Sequence, residues 1–457
     1  MRRIKIIALI AVVAMVVAAC SGDSGDTTTT VGGETTTTAD GGETTTTEDM
    51  GETTTTAAGE DNPLAEFGED PTAADLALVE KALGPVDPSD EASWNIVLAS
   101  VARANQNLDD ATIAKALECW AAQECDTGSG GALVMGYADG GGNDVNVWRS
   151  VSHMEAVLQA LTYPEIGTIV STAANFDQDT NVPINDIRFL INRGVDFIVG
   201  YPDTGTNLSG VIMDAAAAGI PYFPFSAGWV GLPDQDGALI PGEDYPTVVG
   251  EDLCALGESF AEVLNVGVGS GKVALLGGSA NNALSLGWQR CTIDSLGADI
   301  ELVNPPPDDD TTTGDTYWFA PLIPGVFQGL LAADPDIRGW AYEYADGMYI
   351  GLPEFDEPIQ NVTMALRTDE QNLFCDWADR NEPTYNIWYS AGGNFQSRVA
   401  VTAAMLHNKG ADIPGEIVVP HVMRQVDADD CDPNRPNAEA SGTSLVPDEV
   451  MTQMFGG

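Results

Sequence analysis

The spacing of apolar residues changes character along this chain. Between residues 63 and 125 it is helical: in 72–83 (TAADLALVEKAL), Thr72 stands where a cap belongs, and Leu76, Leu78, Val79 and Leu83 follow at helical intervals. Segments 92–104 and 109–123 continue the pattern, so a small helical prelude is expected. From Gly131 short apolar runs alternate with amphipathic segments. Strands are expected at 132–140, 167–175, 195–203 and 220–228, with helices at 147–161, 182–194 and 208–219 between them. The alternation restarts at 245–264 and continues through 272–278, 286–297, 299–305, 326–335, 337–347 and 361–367. Segment 384–393, a helix from about Phe395 to Leu406, and segment 415–423 are placed to return across both halves. Strands alternating with helices imply βαβ units and parallel sheets. The expected fold class is therefore α/β, with two Rossmann-like lobes.

The chain's beginning has a different pattern. Arg2, Arg3 and Lys5 precede an apolar run, Ile6 to Val17, too short for a comfortable membrane span. The run ends in Val17-Ala18-Ala19-Cys20, which resembles a bacterial lipobox; on that reading Cys20 is acylated and becomes the first mature residue. An ordinary cleaved signal is the alternative. Residues 21–62 repeat GETTTT-like units, with no lysine or arginine between Lys5 and Lys81. Such a tract buries too little apolar surface to order itself. It is expected to act as a tether reaching roughly 35 Å as a random coil and more than about 100 Å when extended.

Six cysteines remain beyond Cys20: Cys119, Cys125, Cys254, Cys291, Cys375 and Cys431. An even number in an exported chain implies disulfides, and six cysteines allow fifteen pairings. Pairing in order of occurrence is expected, because Cys119 and Cys125 are close enough for a tight loop; free thiols are the alternative. With no CxxC and only three scattered histidines, zinc is not expected. The 69 acidic and 18 basic residues give a formal charge of −51, a surface that repels nucleic acid and anionic lipid.

Residues 136–144 (GYADGGGND) raise the question of a ligand at a strand end. No lysine accompanies the glycines, as a phosphate loop would need, and Asp139 and Asp144 alone make a thin calcium loop. Segment 267–273 fails as a phosphate loop, since Val273 stands where Ser or Thr is needed. A neutral, hydroxyl-bearing ligand suits residues 136–144 best, with a purely structural turn as the alternative. No cofactor is expected. Enzyme signatures are missing: no G-x-S-x-G surrounds Ser226 or Ser279, no HExxH occurs, and Asp308-Asp309-Asp310 sits in a loop that reads as solvated.

Several segments together carry a family resemblance. The strand running into Ala138-Asp139-Gly140 is followed by an aromatic, Trp148, opening a helix. Segment 191–203 (INRGVDFIVGYPD), segment 218–226 (AGIPYFPFS), segment 272–278 (KVALLGG) and segment 332–351 (AADPDIRGWAYEYADGMYIG) follow in the matching order. Across roughly 131–425 the chain resembles the type I periplasmic solute-binding proteins of the ribose-binding-like sugar group, the capture components of ABC importers. The resemblance implies two lobes joined by a three-segment hinge near Ala227–Gly231, Tyr389–Phe395 and Val418–His421. The expected division is lobe 1 at 131–228 and 395–418, lobe 2 at 229–394 and 419–431, and a C-terminal tail at 432–457.

Sugar hydroxyls both donate and accept hydrogen bonds, and sugar C–H faces suit aromatic rings. Asp139, Asn143, Trp148, Asp203, Ser226 and Asp346 stand at strand ends or loop starts, where open α/β sheets bind ligands. Trp318 is expected to stack from the second lobe. The chain departs from the family pattern at Ala345, where an asparagine is common, and at Ser226-Ala227, where Asp-Arg is common; the arginine typical of the second lobe's first helix has no clear counterpart near Leu286. Tyr344 and Arg367 are the expected compensation. The acids show no obvious basic companion, which argues against an α-amino-acid site. The resemblance thus implies a monomeric, lipid-anchored, extracytoplasmic receptor that delivers a monosaccharide or similar polyol to an ABC permease. A sensor docking to a membrane signalling partner, and a different small solute, remain as alternatives.

Overall fold

The computed structural model describes residues 62–455, except 89, 105–107, 140–145, 173–178, 227, 308–310, 356–358, 381–384, 391–392, 434 and 436–439. The leader, nearly all of the tether, Cys20, Asn143 and the glycine run after Asp139 lie outside the described residues. The prelude holds α1 (Leu76–Leu83), α2 (Glu91–Ala104) and α3 (Asp110–Ala121), then a strand, β1 (Glu124–Asp126). Asp75 and Asp109 cap α1 and α3 by accepting from backbone N–H groups one turn on. The prelude is thus not wholly helical. Its last residues pair antiparallel with the first sheet, Cys125 opposite Ile169, and the Cys119–Cys125 disulfide ties α3 to that edge.

The first lobe runs β2 (Leu133–Ala138), α4 (Val147–Leu161), β3 (Ile166–Thr172), α5 (Asn181–Arg193), β4 (Phe197–Gly200), α6 (Ser209–Ala217) and β5 (Tyr222–Pro224). Its sheet has the order β1-β3-β2-β4-β5, parallel except at β1. A further strand, β6 (Val248–Gly250), meets β5's end through a Phe225–Val249 bridge. The second lobe follows: α7 (Leu253–Val268), β7 (Gly271–Leu276), α8 (Ala283–Ser295), β8 (Ile300–Leu302), α9 (Ile323–Ala333), β9 (Ile337–Tyr342), α10 (Ala345–Gly351), β10 (Val362–Leu366), α11 (Gln371–Asp379) and β11 (Tyr385–Tyr389). The chain then returns through α12 (Gln396–Asn408), β12 (Glu416–Val418), β13 (Arg424–Gln425) and α13 (Asp448–Phe455). The second sheet has the order β13-β11-β10-β9-β7-β8, with only the β11–β13 pair antiparallel. The architecture is the expected pair of parallel-sheet lobes.

One expected boundary moves. Residues 229–250, read as the start of lobe 2, belong with lobe 1. Val230, Leu239, Tyr245 and Val248 bury themselves against Leu208, Ile212 and Tyr222, and β6 pairs in parallel with β12. The first passage between lobes is therefore Gly250 to Leu253, not Ala227–Gly231. The other two lie between β11 and α12 and between β12 and β13, in agreement with the expected segments.

Residues 432–457 are not a free tail: Ala440, Leu445, Val446, Val450 and Met451 are buried in the main hydrophobic cluster. The remaining disulfides, Cys254–Cys291 and Cys375–Cys431, join α7 to α8 and α11 to the approach to this segment. All three pairs thus follow order of occurrence. No helix among the described residues is long and apolar enough to cross a membrane.

Candidate functional site

Parallel sheets present the C-terminal ends of their strands at one edge, and here the two edges face each other. Asp139 follows β2, Tyr201 and Asp203 follow β4, and Ser226 follows β5. From the opposite lobe come Glu343 and Tyr344 after β9 and Arg367 and Thr368 after β10. Helix α4 starts at this edge because Asn146 caps it, accepting from the Arg149 N–H at 3.3 Å. Its first turn carries Trp148 and Arg149 into the cleft. The space left between the walls is narrow, a cavity of about 20 Å³ lined by Trp148, Arg149, Tyr201, Trp318, Glu343 and Arg367 among others.

Arg149 is the centre of the first-lobe wall. Its guanidinium donates to Asp139 Oδ1 at 2.6 Å and to both oxygens of Asp203, one of them at 2.9 Å. The guanidinium carbon lies 4.3 Å from the Tyr201 ring centre and 5.5 Å from that of Trp318. Two buried carboxylates stabilise the cation, and two aromatic faces add to that. Burial pushes the Asp203 carboxyl up, with Arg149 limiting the rise. The expectation that these acids lack a basic companion is thus corrected. Arg149 stands next to Trp148 within an apolar helical pattern, and one of only 18 cations at such a position was the available signal.

The second-lobe wall is built around Glu343, which accepts from Trp318 Nε1 at 3.1 Å and also from Ser285 Oγ and Trp288 Nε1. Burial raises its pKa to about 7, against the pull of those donors. The sequence does not single out Glu343, which lies between Tyr342 and Tyr344 in what reads simply as a strand end. Arg367 donates to both oxygens of Glu251, each at 3.0 Å, and to Ser226 Oγ at 2.7 Å. Its guanidinium carbon lies 5.9 Å from the Trp148 ring centre. Ser226 (φ 63°), Tyr317 (φ 55°) and Trp318 (φ 50°) hold left-handed backbone, a strain that clusters at functional sites.

The lobes also touch directly beside the cleft. Asn282 Nδ2 donates to the Asp203 carbonyl at 3.0 Å. Gly205 lies so near the Asn281 carbonyl that a Cβ would fall 2.0 Å from its oxygen. Gly278 lies equally close to the Trp318 indole, where a Cβ would come within 1.8 Å. Of the expected site residues, Asp139, Trp148, Asp203, Ser226, Trp318, Tyr344 and Arg367 gather at the cleft. Asp346 does not line it. Its carboxylate accepts from Tyr344 Oη at 3.1 Å and Asn372 Nδ2 at 3.2 Å, beside α11. It is the first-turn acid of α10, so its side chain follows the helix rather than the strand end.

Comparison with known proteins accords with this geometry. Residues 143–354 match the family model described as periplasmic binding protein domain. That stretch, a little under half of the chain, is similar to a periplasmic binding protein domain. No curated protein matches the chain. Among solved structures, a Mycobacterium smegmatis ABC transporter solute-binding protein with bound glycerol is 20% identical, with 65% of this chain and 95% of that one covered at a TM-score of 0.52. An Agrobacterium vitis solute-binding protein with bound α-D-tagatopyranose is 16% identical, covering 64% and 94% at 0.53. An Actinobacillus succinogenes periplasmic solute-binding protein with bound D-allose is 18% identical, covering 65% and 98% at 0.51. These likenesses are of fold.

Proposed function

We propose that the protein is an extracytoplasmic solute-binding lipoprotein that captures a small hydroxylated ligand, a monosaccharide, between its lobes and delivers it to an ABC permease. The observation that carries this reading is Arg149, held between Asp139 and Asp203 and flanked by Tyr201 and Trp318. Fixed guanidinium and carboxylate groups match hydroxyls that donate and accept at once, and the rings suit C–H faces. Carboxylates outnumber guanidiniums around the cleft, which favours a neutral ligand over an anionic one. The sugars bound in several structural relatives support the same class. Lobes that touch beside the cleft must part to admit a solute, a hinge motion about the three passages between them.

A thermal-shift panel of neutral sugars, sugar acids, nucleosides and amino acids tests the ligand class. A neutral sugar at a hundred times its dissociation constant should stabilise the protein by about 2.7 kcal/mol. Stabilisation by an amino acid or nucleoside with none by any sugar would sink the reading. For the anchor, Cys20→Ser should release the protein from membranes, and undiminished membrane retention would refute acylation.

A further inference from the structure

The C-terminal segment, which lies outside the residues matched to the family, ties the two lobes together. Its approach is fixed to the second lobe by the Cys375–Cys431 disulfide and by Asp432 N–H, which donates to Gln371 Oε1 at 2.8 Å. Ser441 pairs with Glu370 in an antiparallel bridge, and its hydroxyl donates to Asp369 Oδ1. Thr443 N–H donates to Asp369 Oδ2 at 2.7 Å. The very next residues hold the first lobe. Ser444 Oγ, Leu445 N–H and Val446 N–H all donate to Glu155 Oε1, at 2.8, 2.7 and 3.2 Å. The other oxygen of Glu155 accepts from Arg398 of α12. Beyond them, α13 buries Val450 and Met451 against the prelude.

We propose that residues 440–455 form a strap that makes a fourth connection between the lobes and restrains the opening of the cleft. Thr443 and Ser444 are consecutive, so their Cα atoms are about 3.8 Å apart. Asp369 and Glu155 therefore cannot separate without stripping buried hydrogen bonds from one carboxylate. Asp369, Glu155, Ser441 and Ser444 are each almost wholly buried, so water does not compete for these bonds in the closed form. Both carboxylates belong to elements that build the cleft. Asp369 lies two residues after Arg367, and Glu155 is on α4, whose first turn carries Trp148 and Arg149. The strap thus holds the ends of the two walls together. With it in place, the ligand-free protein is mostly closed, and opening is a pivot about residues 155 and 369 rather than a free swing about three hinges.

The proposal rests on the reading that the lobes part to admit solute, but its test needs no ligand. Spin labels are placed at Met213→Cys on α6 and Tyr349→Cys on α10, both exposed positions on opposite lobes. The full chain also carries Cys20→Ser, so that only the introduced thiols react. Interlobe distances from pulsed electron paramagnetic resonance are then compared with those of the same chain carrying Ser441→Ala and Asp369→Ala, which loosen the strap without leaving the carboxylate unpartnered. The labelled chain should give one short-distance population, and the loosened variant should shift most molecules to longer distances. Identical distributions would overturn the proposal. Amide exchange in the unsubstituted chain gives an independent reading should the variant fail to fold. Thr443, Leu445 and Val446 should exchange as slowly as the core of α4, and rapid exchange of these three amides would overturn the strap. A failure to find a sugar ligand would leave either result standing.

Discussion

Arg367 meets Glu251 at two points, each 3.0 Å, beside the first passage of the chain between lobes. Both side chains are almost wholly buried, so this pair fixes the second-lobe wall against the hinge. Removing one partner leaves the other charge buried and uncompensated, a loss of about 3–5 kcal/mol. Glu251→Ala should therefore lower stability in urea by about that amount. A variant within about 1 kcal/mol of the parent would show that the pair is solvated rather than built in.

Trp148 has two roles that a single substitution can separate. It lines the cleft, yet it is only 6% exposed and packs edge-on to Tyr201 at 5.7 Å. Trp148→Ala should weaken sugar binding at least tenfold, about 1.4 kcal/mol. It should also cost the unliganded protein about 3 kcal/mol or more, as large-to-small changes in a packed site do. Calorimetry with apo melting curves checks both; unchanged affinity would remove Trp148 from the binding surface.

Stability should rise on mild acidification. Burial raises Glu343 to about 7, with Ser285 and Trp288 opposing, and Glu370 to about 8, with Thr368 opposing. The ordinary glutamate value is 4.5, so between there and pH 7 to 8 the native state binds more protons than the unfolded chain. Stability is then gained as pH falls from 8 towards 6.5; below that, His153, which burial holds down to about 4, binds fewer protons than in the unfolded chain and opposes the gain. The surplus of surface acids acts in the same direction, and Glu343→Gln separates the two by flattening part of the slope. Urea midpoints at pH 8, 6.5 and 5 test this; a parent midpoint that falls as pH drops from 8 to 6.5 would contradict it.

The Cys254–Cys291 disulfide spans 37 residues within the second lobe. By the loop-entropy account, removing such a link costs about 4 kcal/mol. Cys254→Ser with Cys291→Ser should lower the urea midpoint of the whole chain. Thiol counting on the denatured, unreduced mature protein should find none free, and two reactive thiols in the parent would dismiss the pairing.

Much of the fold was legible because period is a local property. Ile187 and Leu190 in α5 repeat at helical spacing, and Phe197 to Val199 form an unbroken buried run in β4. Residues 229–244 carried no such period, and only burial against Ile212 and Tyr222 assigns the stretch from 229 to 250 to the first lobe. The candidate site was legible where a residue ends a strand, as with Asp139, Asp203 and Arg367. Arg149 was hidden inside a helix, and Asp346 was misplaced because a strand end and a first helical turn are adjacent in sequence but point differently.

By itself, the sequence determined what depends on composition and on neighbours a few residues apart: two α/β lobes, a helical prelude, an acidic surface and the list of strand-end side chains. Only the tertiary structure decided which charges face one another. Arg149 lies 54 residues from Asp203, Arg367 lies 116 from Glu251, and Glu155 lies 289 from Ser444. Such pairs leave no local periodicity, because a buried charge is stabilised by whatever the fold brings within about 3 Å of it, however far away along the chain.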